Sequence, residues 1–393
     1  MSTPYHTPIL LLLAAALATF MLSCGDEGSG EAVDTVELGS FQVDSIDTAD
    51  DAKTELTVSV PDGAESVAIV VQGGPAGALI LADTITSPSD TKVFDFFNDI
   101  TTNRVDTSDG LYTVLIPNNP EVNFESGDWK LTFVTDGDPY NVNATALVKN
   151  EAGSGVFDLN LFFAGVDGLD ASTAPMDTSF QAALSNVGAI YGSAGISIGE
   201  VSYNDITDEA LAVVEGDDEL ATLFQTSSSQ SNRALNFFFV KDLVGNEVGF
   251  TLLGKAGGVP GPPGLHGTVR SGVVVNMASF IEANASGDAT MITEALDQLE
   301  IIMAHEAGHY LGLYHTTERN GAALDENGIL GSDPLSDTPV CPDSADANGD
   351  MILAPSECTS ADGGNLMFWS PPNTARSLSS AQGTVLGKNP VVQ

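Results

Sequence analysis

The sequence predicts an α+β protein, with an N-terminal antiparallel β-sandwich followed by a domain that combines a sheet with helices. Between residues 37 and 149, short runs alternate apolar and polar residues and are separated by turns such as P-D-G and S-D-G. From residue 156 onward, apolar strand-like runs are interspersed with segments of helical spacing. With 393 residues, of which 42% are hydrophobic, the chain can bury two cores.

The N-terminal domain, residues 37–149, is predicted to consist of short strands. The clearest period-two runs are residues 56–60, 66–71, 112–116 and 129–133. The sequence of this part carries no cluster of nucleophiles or metal ligands, so a folding aid and a binding module both remain open. Residues 150–155 (N-E-A-G-S-G) are predicted to link it to the second domain, which is assigned to residues 150–393.

The second domain is predicted to contain five strands and a helix that carries the chemistry. The strands are predicted at residues 156–163, 196–203, 234–241, 248–253 and 272–277. A first helix is predicted over residues 177–191. The second helix is predicted to turn these side chains inward: Ile292, Leu296, Leu299, Ile302 and Met303. Beyond residue 314 the chain is expected to be mostly irregular, with a short last helix near residues 379–386.

The most informative segment is H-E-A-G-H-Y-L-G-L-Y-H, residues 305–315. His305 and His309 are four residues apart, so on a helix they lie on the same face and can share one metal ion. Glu306 lies beside them, with a carboxylate that can accept a proton from a metal-activated water. Gly312 lets the chain leave the helix, so that His315 supplies a third nitrogen. Three imidazoles with an open fourth position indicate one catalytic zinc ion.

A chance match on a surface helix is the alternative explanation, because H-E-x-x-H by itself is a short motif. The histidine count argues against chance. The chain has five histidines, and three of them fall within this one run.

The run resembles the metzincin signature H-E-x-x-H-x-x-G-x-x-H, which is followed by a methionine turn. N-L-M at residues 365–367 is the candidate turn, and together with S-D-T-P at residues 336–339 it makes the chain similar to the pappalysin family. The resemblance covers residues 155–390. It implies a five-stranded mixed sheet, an active-site helix, an irregular C-terminal subdomain, and Met367 as an apolar floor beneath the zinc. Trp369 stands where many relatives carry tyrosine, and an indole cannot ligate zinc.

The resemblance implies a zinc metalloendopeptidase that acts on a protein or peptide substrate. Glu306 would act as the general base, and an extended substrate would pair with the predicted edge strand at residues 248–253. Two other functions remain open. One is a cell-surface binding or adhesion lipoprotein with an inactive metalloprotease fold, and the other is a zinc enzyme that hydrolyses a non-peptide amide.

Residues 254–267 (G-K-A-G-G-V-P-G-P-P-G-L-H-G) follow that edge strand and are predicted to be irregular, because glycine and proline dominate them. The segment is expected to be either a flap or specificity loop beside the cleft, or a passive surface loop. His266 within it is expected to be a surface residue rather than a metal ligand.

The charge of the chain excludes one class of function. Acidic residues number 54 against 12 basic ones, a net charge of −42. Such a field repels nucleic acid, so nucleic-acid binding is excluded as a main function. A solvated surface and a set of calcium sites both explain the acidity.

Residues 346–357 resemble an EF-hand loop. Oxygen-bearing side chains occupy its positions 1, 3, 5 and 12, namely Asp346, Asn348, Asp350 and Glu357. Met351 stands where glycine normally makes the turn, so an acidic loop without calcium is the alternative. Asp325, Glu326 and Asp333 are further candidate calcium ligands.

The N-terminus predicts export. Residues 9–22 are apolar but too short to span a bilayer comfortably, so residues 1–23 are predicted to be a signal peptide. Cys24 resembles the acylated cysteine of a bacterial lipoprotein, followed by an acidic tether over residues 24–36. The protein is expected at the outer membrane or cell surface, with membrane contact only through that lipid. Secretion without an anchor is the alternative.

The two remaining cysteines, Cys341 and Cys358, are predicted to form a disulfide, because an exported chain matures in an oxidising compartment. A loop of this length closed by a disulfide contributes on the order of 3 kcal/mol to stability.

Overall fold

Nine strands form the N-terminal part of the fold. The computed structural model describes residues 32–47, 53–75, 77–106, 108–150, 155–245, 252–321 and 332–393. The nine strands are β1 (Val33–Ser45), β2 (Glu55–Val60), β3 (Ser66–Gly73), β4 (Leu79–Thr86), β5 (Lys92–Asp95), β6 (Ser108–Asp109), β7 (Leu111–Ile116), β8 (Gly127–Thr135) and β9 (Tyr140–Lys149).

The nine strands form two layers that β1 connects. Most of β1 pairs antiparallel with β9, which continues to β3 and β7. The end of β1, at Asp44 and Ser45, pairs in parallel with β8, which lies between β2 and β4. Side chains from both layers, among them Ile69, Val114 and Trp129, meet in one core. The four strands that alternation predicts are confirmed as β2, β3, β7 and β8.

Five strands form a mixed sheet in the C-terminal part, in the order β11-β10-β13-β16-β15. Four of them run parallel, and β15 is antiparallel at the edge. A short parallel ladder joins β12 to β14. The strands of this part are β10 (Val156–Ala164), β11 (Ser197–Ile206), β12 (Val213–Val214), β13 (Ala234–Val240), β14 (Asp242–Leu243), β15 (Gly254–Ala256) and β16 (Val273–Asn276).

The edge strand differs from the sequence prediction. Residues 246–251 lie outside the described residues, and Leu252 and Leu253 are not in a strand. The strand is β15, which begins at Gly254, inside the segment that was predicted to be irregular. Gly254 leaves room for the side chains of Glu306 and Ile302. A Cβ at this position would lie only 2.7 Å from Glu306 and 2.9 Å from Ile302.

Five helices complete the described fold: α1 (Thr178–Gly192), α2 (Asp217–Gln225), α3 (Ala278–Ser286), α4 (Ala289–Leu311) and α5 (Ser380–Lys388). The predicted helices at 177–191 and 379–386 are confirmed as α1 and α5. Asp177 caps α1 by accepting hydrogen bonds from two backbone N–H groups. No helix among the described residues has both the length and the apolar character needed to cross a membrane.

Helix α4 carries the histidine motif. Asp288 caps its start, and its end is at Gly312, whose φ of +112° is a conformation that glycine adopts without strain. The predicted inward face is correct for Leu299 and Met303, which are buried. Leu296 and Ile302 are partly buried and pack against the core that contains Leu299 and Met303, and Ile302 also lines an open cleft. Ile292 is only partly buried.

The N-terminal sheet buries its second face against the C-terminal part. Leu115 of β7 and Leu147 of β9 belong to the same apolar core as Leu311 of α4 and Phe239 of β13. Residues 32–393 form one compact unit, so the division into domains at residue 150 stays a prediction.

Lys149, at the end of β9, is buried in this contact. Its ammonium group donates hydrogen bonds to the carbonyls of Gly387 and Val392, at 2.5 and 2.6 Å. Burial and, to a lesser extent, the nearby ammonium of Lys388 lower the pKa of Lys149 to about 8, whereas Glu65 opposes this shift.

Candidate metal centre

Three imidazole rings converge at the C-terminal end of α4. The Nε2 atom of His309 lies 3.1 Å from that of His305 and 3.1 Å from that of His315, and the third side of the triangle measures 3.3 Å. Within the described part of the chain, no other His, Cys, Asp or Glu residues bring three possible ligand atoms within 4.8 Å of one another. The sequence prediction of a three-histidine cluster therefore agrees with the geometry.

The opposite nitrogen of each ring has its own acceptor. The Nδ1–H of His305 donates to the Leu366 carbonyl at 2.8 Å, and that of His309 donates to the Leu313 carbonyl at 2.7 Å. The Nδ1–H of His315 donates to the Glu318 carboxylate at 3.0 Å. Since a neutral imidazole carries one N–H, these partners assign the proton to Nδ1 and leave every Nε2 as an acceptor.

Three acceptor nitrogens at this spacing repel one another unless a cation lies among them. The contacts between the Nε2 atoms cannot be hydrogen bonds, because none of them carries a proton. Nitrogens at about 2.0–2.1 Å from one tetrahedral zinc ion lie about 3.3–3.4 Å apart, close to the observed triangle. The residues therefore fit a zinc ion with one open position.

Burial also holds the rings of His305 and His309 in the neutral form. Burial lowers the pKa of His305 to about 3, and the neighbouring His315 adds to this effect. Burial, together with His305 and His315, lowers the pKa of His309 well below its usual range. Neutral imidazoles are the form that binds metal ions.

Glu306 faces the cleft beside this cluster. The cleft has a volume of about 690 Å³, and its walls include Leu252, Ile302 and Trp369. Burial raises the pKa of the Glu306 carboxyl to about 8, although the Ala256 N–H lowers it. A divalent cation at the three nitrogens would favour the ionised carboxylate again.

The predicted methionine turn lies directly against the cluster. Met367 is fully buried, and its sulfur lies 2.6 Å from the position that a Cβ on Gly308 would take. The Met367 carbonyl accepts a hydrogen bond from Thr316 N–H at 2.9 Å, next to His315. Since Leu366 also accepts from His305, this turn supports two of the three histidines.

Trp369 is committed to a structural contact. Its indole N–H donates to the Leu353 carbonyl at 2.7 Å. This hydrogen bond uses the single donor of the indole, so Trp369 has no donor left for a reacting group. It contributes a wall of the cleft instead.

The predicted disulfide is confirmed. Cys341 and Cys358 are bonded, with sulfur atoms 2.05 Å apart, and they pack with Leu353 and Phe368 in a small apolar cluster. Phe368 directly follows the methionine turn, so this cluster adjoins that turn.

The four predicted calcium ligands lie on one exposed loop, but their oxygens bond to backbone N–H groups. Asp346 accepts from Gly349 and Met351, and Glu357 accepts from Ala347 and Ala354. Asn348 and Asp350 accept from the amides two residues further on. Met351 takes the left-handed turn expected of glycine, with φ of +63°. Calcium at this loop stays a prediction.

The other calcium candidates and the lipidation site are only partly described. Asp325, Glu326 and Cys24 lie outside the described residues. Asp333 is buried, and burial raises the pKa of its carboxyl to about 7. One of its oxygens has no hydrogen-bond partner among the described residues.

The part of the glycine- and proline-rich segment that follows β15 packs against the C-terminal end of α4 instead of lying on the surface. Tyr310 of α4 donates its hydroxyl to the Pro262 carbonyl at 2.7 Å, and its ring fills the space beside Gly261. His266 is half-buried and bonds Asn236 and Asn232. Both ring nitrogens are thus engaged by protein groups, and the partial burial of His266 differs from the surface position that was predicted.

Sequence reasoning missed the partners that orient the histidines. Glu318 could have been found, because it stands three residues after His315 and can reach its ring. The carbonyls of Leu313 and Leu366 carry no side-chain signal.

Comparison with known proteins adds little to this geometry. No family model matches the sequence, and no curated protein matches it. Among solved structures, metalloproteinase-II from Bacteroides fragilis is similar at 13% identity, with 46% of this chain and 49% of that chain covered and a TM-score of 0.25. A Mud Crab Dicistrovirus structure is similar at 14% identity, with 38% and 81% covered and a TM-score of 0.20.

The chain thus spans about half the length of the Bacteroides metalloproteinase. TM-scores this low carry no argument about family or function. The chain itself shows a three-histidine cluster beside a carboxylate in a cleft.

Proposed function

We propose that this protein is a zinc-dependent endopeptidase of the metzincin type, similar to the pappalysins. The observation that carries the proposal is the triangle of three unprotonated Nε2 atoms, each ring fixed through its Nδ1, beside Glu306 in an open cleft. A structural zinc site would need a fourth protein ligand, and none of the described residues offers one.

The roles of the residues follow from their positions. His305, His309 and His315 would hold the zinc. When bound, zinc would polarise the scissile carbonyl and lower the pKa of water towards about 7. Glu306 would accept the proton of the attacking water and pass it to the nitrogen of the leaving amine.

The cleft is suited to an extended polypeptide. Strand β15 is the edge of the five-stranded sheet and lies beside Glu306, so its free edge can pair with the main chain of a substrate. Ile301 and Ile302 supply an apolar wall for a substrate side chain. An endopeptidase reaction on protein or peptide substrates would use both the edge strand and the apolar wall, whereas hydrolysis of a small amide would need neither.

The proposed setting is the cell surface. Export through the predicted signal peptide, residues 1–23, and acylation of Cys24 would place the enzyme at an outer membrane, with its acidic surface in solution. Calcium at residues 346–357 belongs to the same proposal, because calcium-bound loops are common in exported proteins.

The test is cleavage of a denatured protein by the purified protein, with and without a zinc chelator, compared with the Glu306→Gln variant. We expect chelator-sensitive cleavage by the wild type, and zinc binding without cleavage by the variant. Full activity of the variant would contradict the role of Glu306. Zinc-free, inactive wild-type protein would favour the binding or adhesion lipoprotein, and cleavage of small amides alone would favour the amide hydrolase.

A further inference from the structure

We propose that the N-terminal part of the protein completes the metal centre, with Arg104 acting as a positioning residue for His315. This inference rests on the proposed zinc site. His315 lies beyond the end of α4, so the helix that fixes His305 and His309 does not fix it. Its position depends on contacts from other segments.

Arg104 is itself held firmly. Its backbone N–H donates to the Asn118 side-chain oxygen at 2.9 Å, and its carbonyl accepts from the Asn118 amide. The side chain is 95% buried, since its exposed fraction is 5%. Burying a guanidinium group carries a desolvation cost, so its contacts in the C-terminal part must offset that cost.

The first of these contacts is with the residue before His315. The guanidinium carbon of Arg104 lies 3.8 Å from the centre of the Tyr314 ring. The Tyr314 hydroxyl donates to the Val259 carbonyl at 2.9 Å, so the ring is fixed at both ends. This stack sets the path of the backbone that enters His315.

The second contact runs through one peptide group. Arg104 donates from a terminal guanidinium nitrogen to the Ser332 carbonyl. The N–H of the same peptide, at Asp333, donates to the His315 carbonyl at 2.7 Å. A charged donor on one side of a peptide polarises it and strengthens the bond on the other side. Arg104 therefore holds the backbone on both sides of the His315 side chain.

A neighbouring bond supports the same segment. The Asn119 side-chain amide donates to the Pro334 carbonyl at 3.1 Å. Residues 332–334 are thus fixed by two residues of the N-terminal part, Arg104 and Asn119.

The inference is testable because the charge of Arg104 and its positioning contacts are expected to change the zinc affinity in opposite directions. A positive charge near the three histidines opposes the binding of a cation. If charge were the dominant effect, removal of the guanidinium would strengthen zinc binding. If positioning dominates, removal weakens it, typically by about 10–100-fold for a residue that orients a ligand.

The experiment compares zinc affinity, by competition with a chromophoric chelator, for the full-length wild type and two variants. Arg104→Met removes the guanidinium. Arg270→Met is the matched control, because Arg270 also bonds across to the N-terminal part, at Asp109, but has no contact with the histidine segment among its described bonds. The unfolding temperature of each metal-free protein is measured beside the affinity.

We expect Arg104→Met to bind zinc about 10–100-fold more weakly than the wild type, and Arg270→Met to bind it equally well. Unchanged or tighter binding in Arg104→Met would overturn the inference. So would an equal loss in both variants, since that would mean general destabilisation. If the wild type binds no zinc, the proposed function fails together with this inference.

Arg104→Lys keeps the experiment decisive if methionine prevents folding. Lysine retains the charge and one donor but lacks the planar group that stacks on Tyr314. We expect a smaller but measurable loss of zinc affinity in this variant, at an unfolding temperature close to that of the wild type. Wild-type affinity in a folded Arg104→Lys protein would overturn the inference.

Discussion

Replacing Gly254 with alanine is expected to slow catalysis without releasing the metal. Gly254 opens strand β15 and has a backbone conformation that alanine can also adopt, since its φ is not in the left-handed region. An added Cβ would lie 2.7 Å from Cγ of Glu306 and 2.9 Å from Cγ2 of Ile302. The substitution therefore acts on the proposed base and leaves the three histidines untouched.

The size of the effect follows from these distances. Carbon atoms in ordinary contact lie about 3.5–4.0 Å apart, so Glu306 must move by about 1 Å. A displacement of about 1 Å of a catalytic group can lower the rate by about 10²-fold. We expect kcat to fall by that order, with zinc content unchanged.

The assay is steady-state cleavage of a fluorogenic peptide together with zinc analysis. Gly192→Ala is the matched control, because no heavy atom lies within 4 Å of the Cβ it would add at the end of α1. A Gly254→Ala protein with wild-type kcat would refute the placement of Glu306 as the base. Loss of zinc from that variant would also count against it, since the perturbation should not reach the metal.

Three further predictions concern stability. Replacement of both Cys341 and Cys358 by serine is expected to lower the free energy of unfolding by on the order of 3 kcal/mol, measured by urea denaturation; an unchanged value would mean that the disulfide adds nothing. Because the folded-state pKa of Lys149, about 8, lies below its unfolded value of 10.5, folding should release a proton between these values. The free energy of unfolding should then rise from pH 8 to 10.5 in the wild type but not in Lys149→Met, and parallel pH profiles would contradict this. Calcium should raise the unfolding temperature of the wild type more than that of Asp346→Asn, and no rise in either would remove the calcium prediction.

The chemistry of the site could be predicted from the sequence because it is local. His305 and His309 owe their common face to helix geometry, which depends on spacing alone. Gly312 at the end of α4 is likewise a local signal, since few other residues accept a φ of +112°. The strands of the N-terminal part also follow from local alternation, which β2 shows in its burial pattern.

What could not be predicted depends on contacts between distant segments. The Leu366 carbonyl that orients His305 lies 61 residues away, and a carbonyl is present at every residue. Both faces of β7 are buried, whereas the period-two pattern of its sequence suggests one buried face and gives no sign of which partner covers the other. For the same reason, the contact between the two parts was not foreseen.

The glycine-rich segment after β15 shows that a high glycine content can indicate either a surface loop or a closely packed segment. Glycine suggested freedom of the backbone, and therefore a loop at the surface. In the structure Gly261 instead permits the close approach of Tyr310, because any side chain there would overlap the ring. Only the position of the neighbour distinguishes these explanations, and sequence alone does not give that position.

Zinc content is the measurement that tests the central claim most directly. The wild-type protein and His309→Ala should be purified without added metal and analysed for zinc per chain. The account predicts about one zinc per wild-type chain and almost none in His309→Ala. The reason is that the Nε2 of His309 lies 3.1 Å from the Nε2 atoms of both other histidines. A wild type without zinc, or a variant that retains it, would contradict the assignment of the three histidines as the metal site.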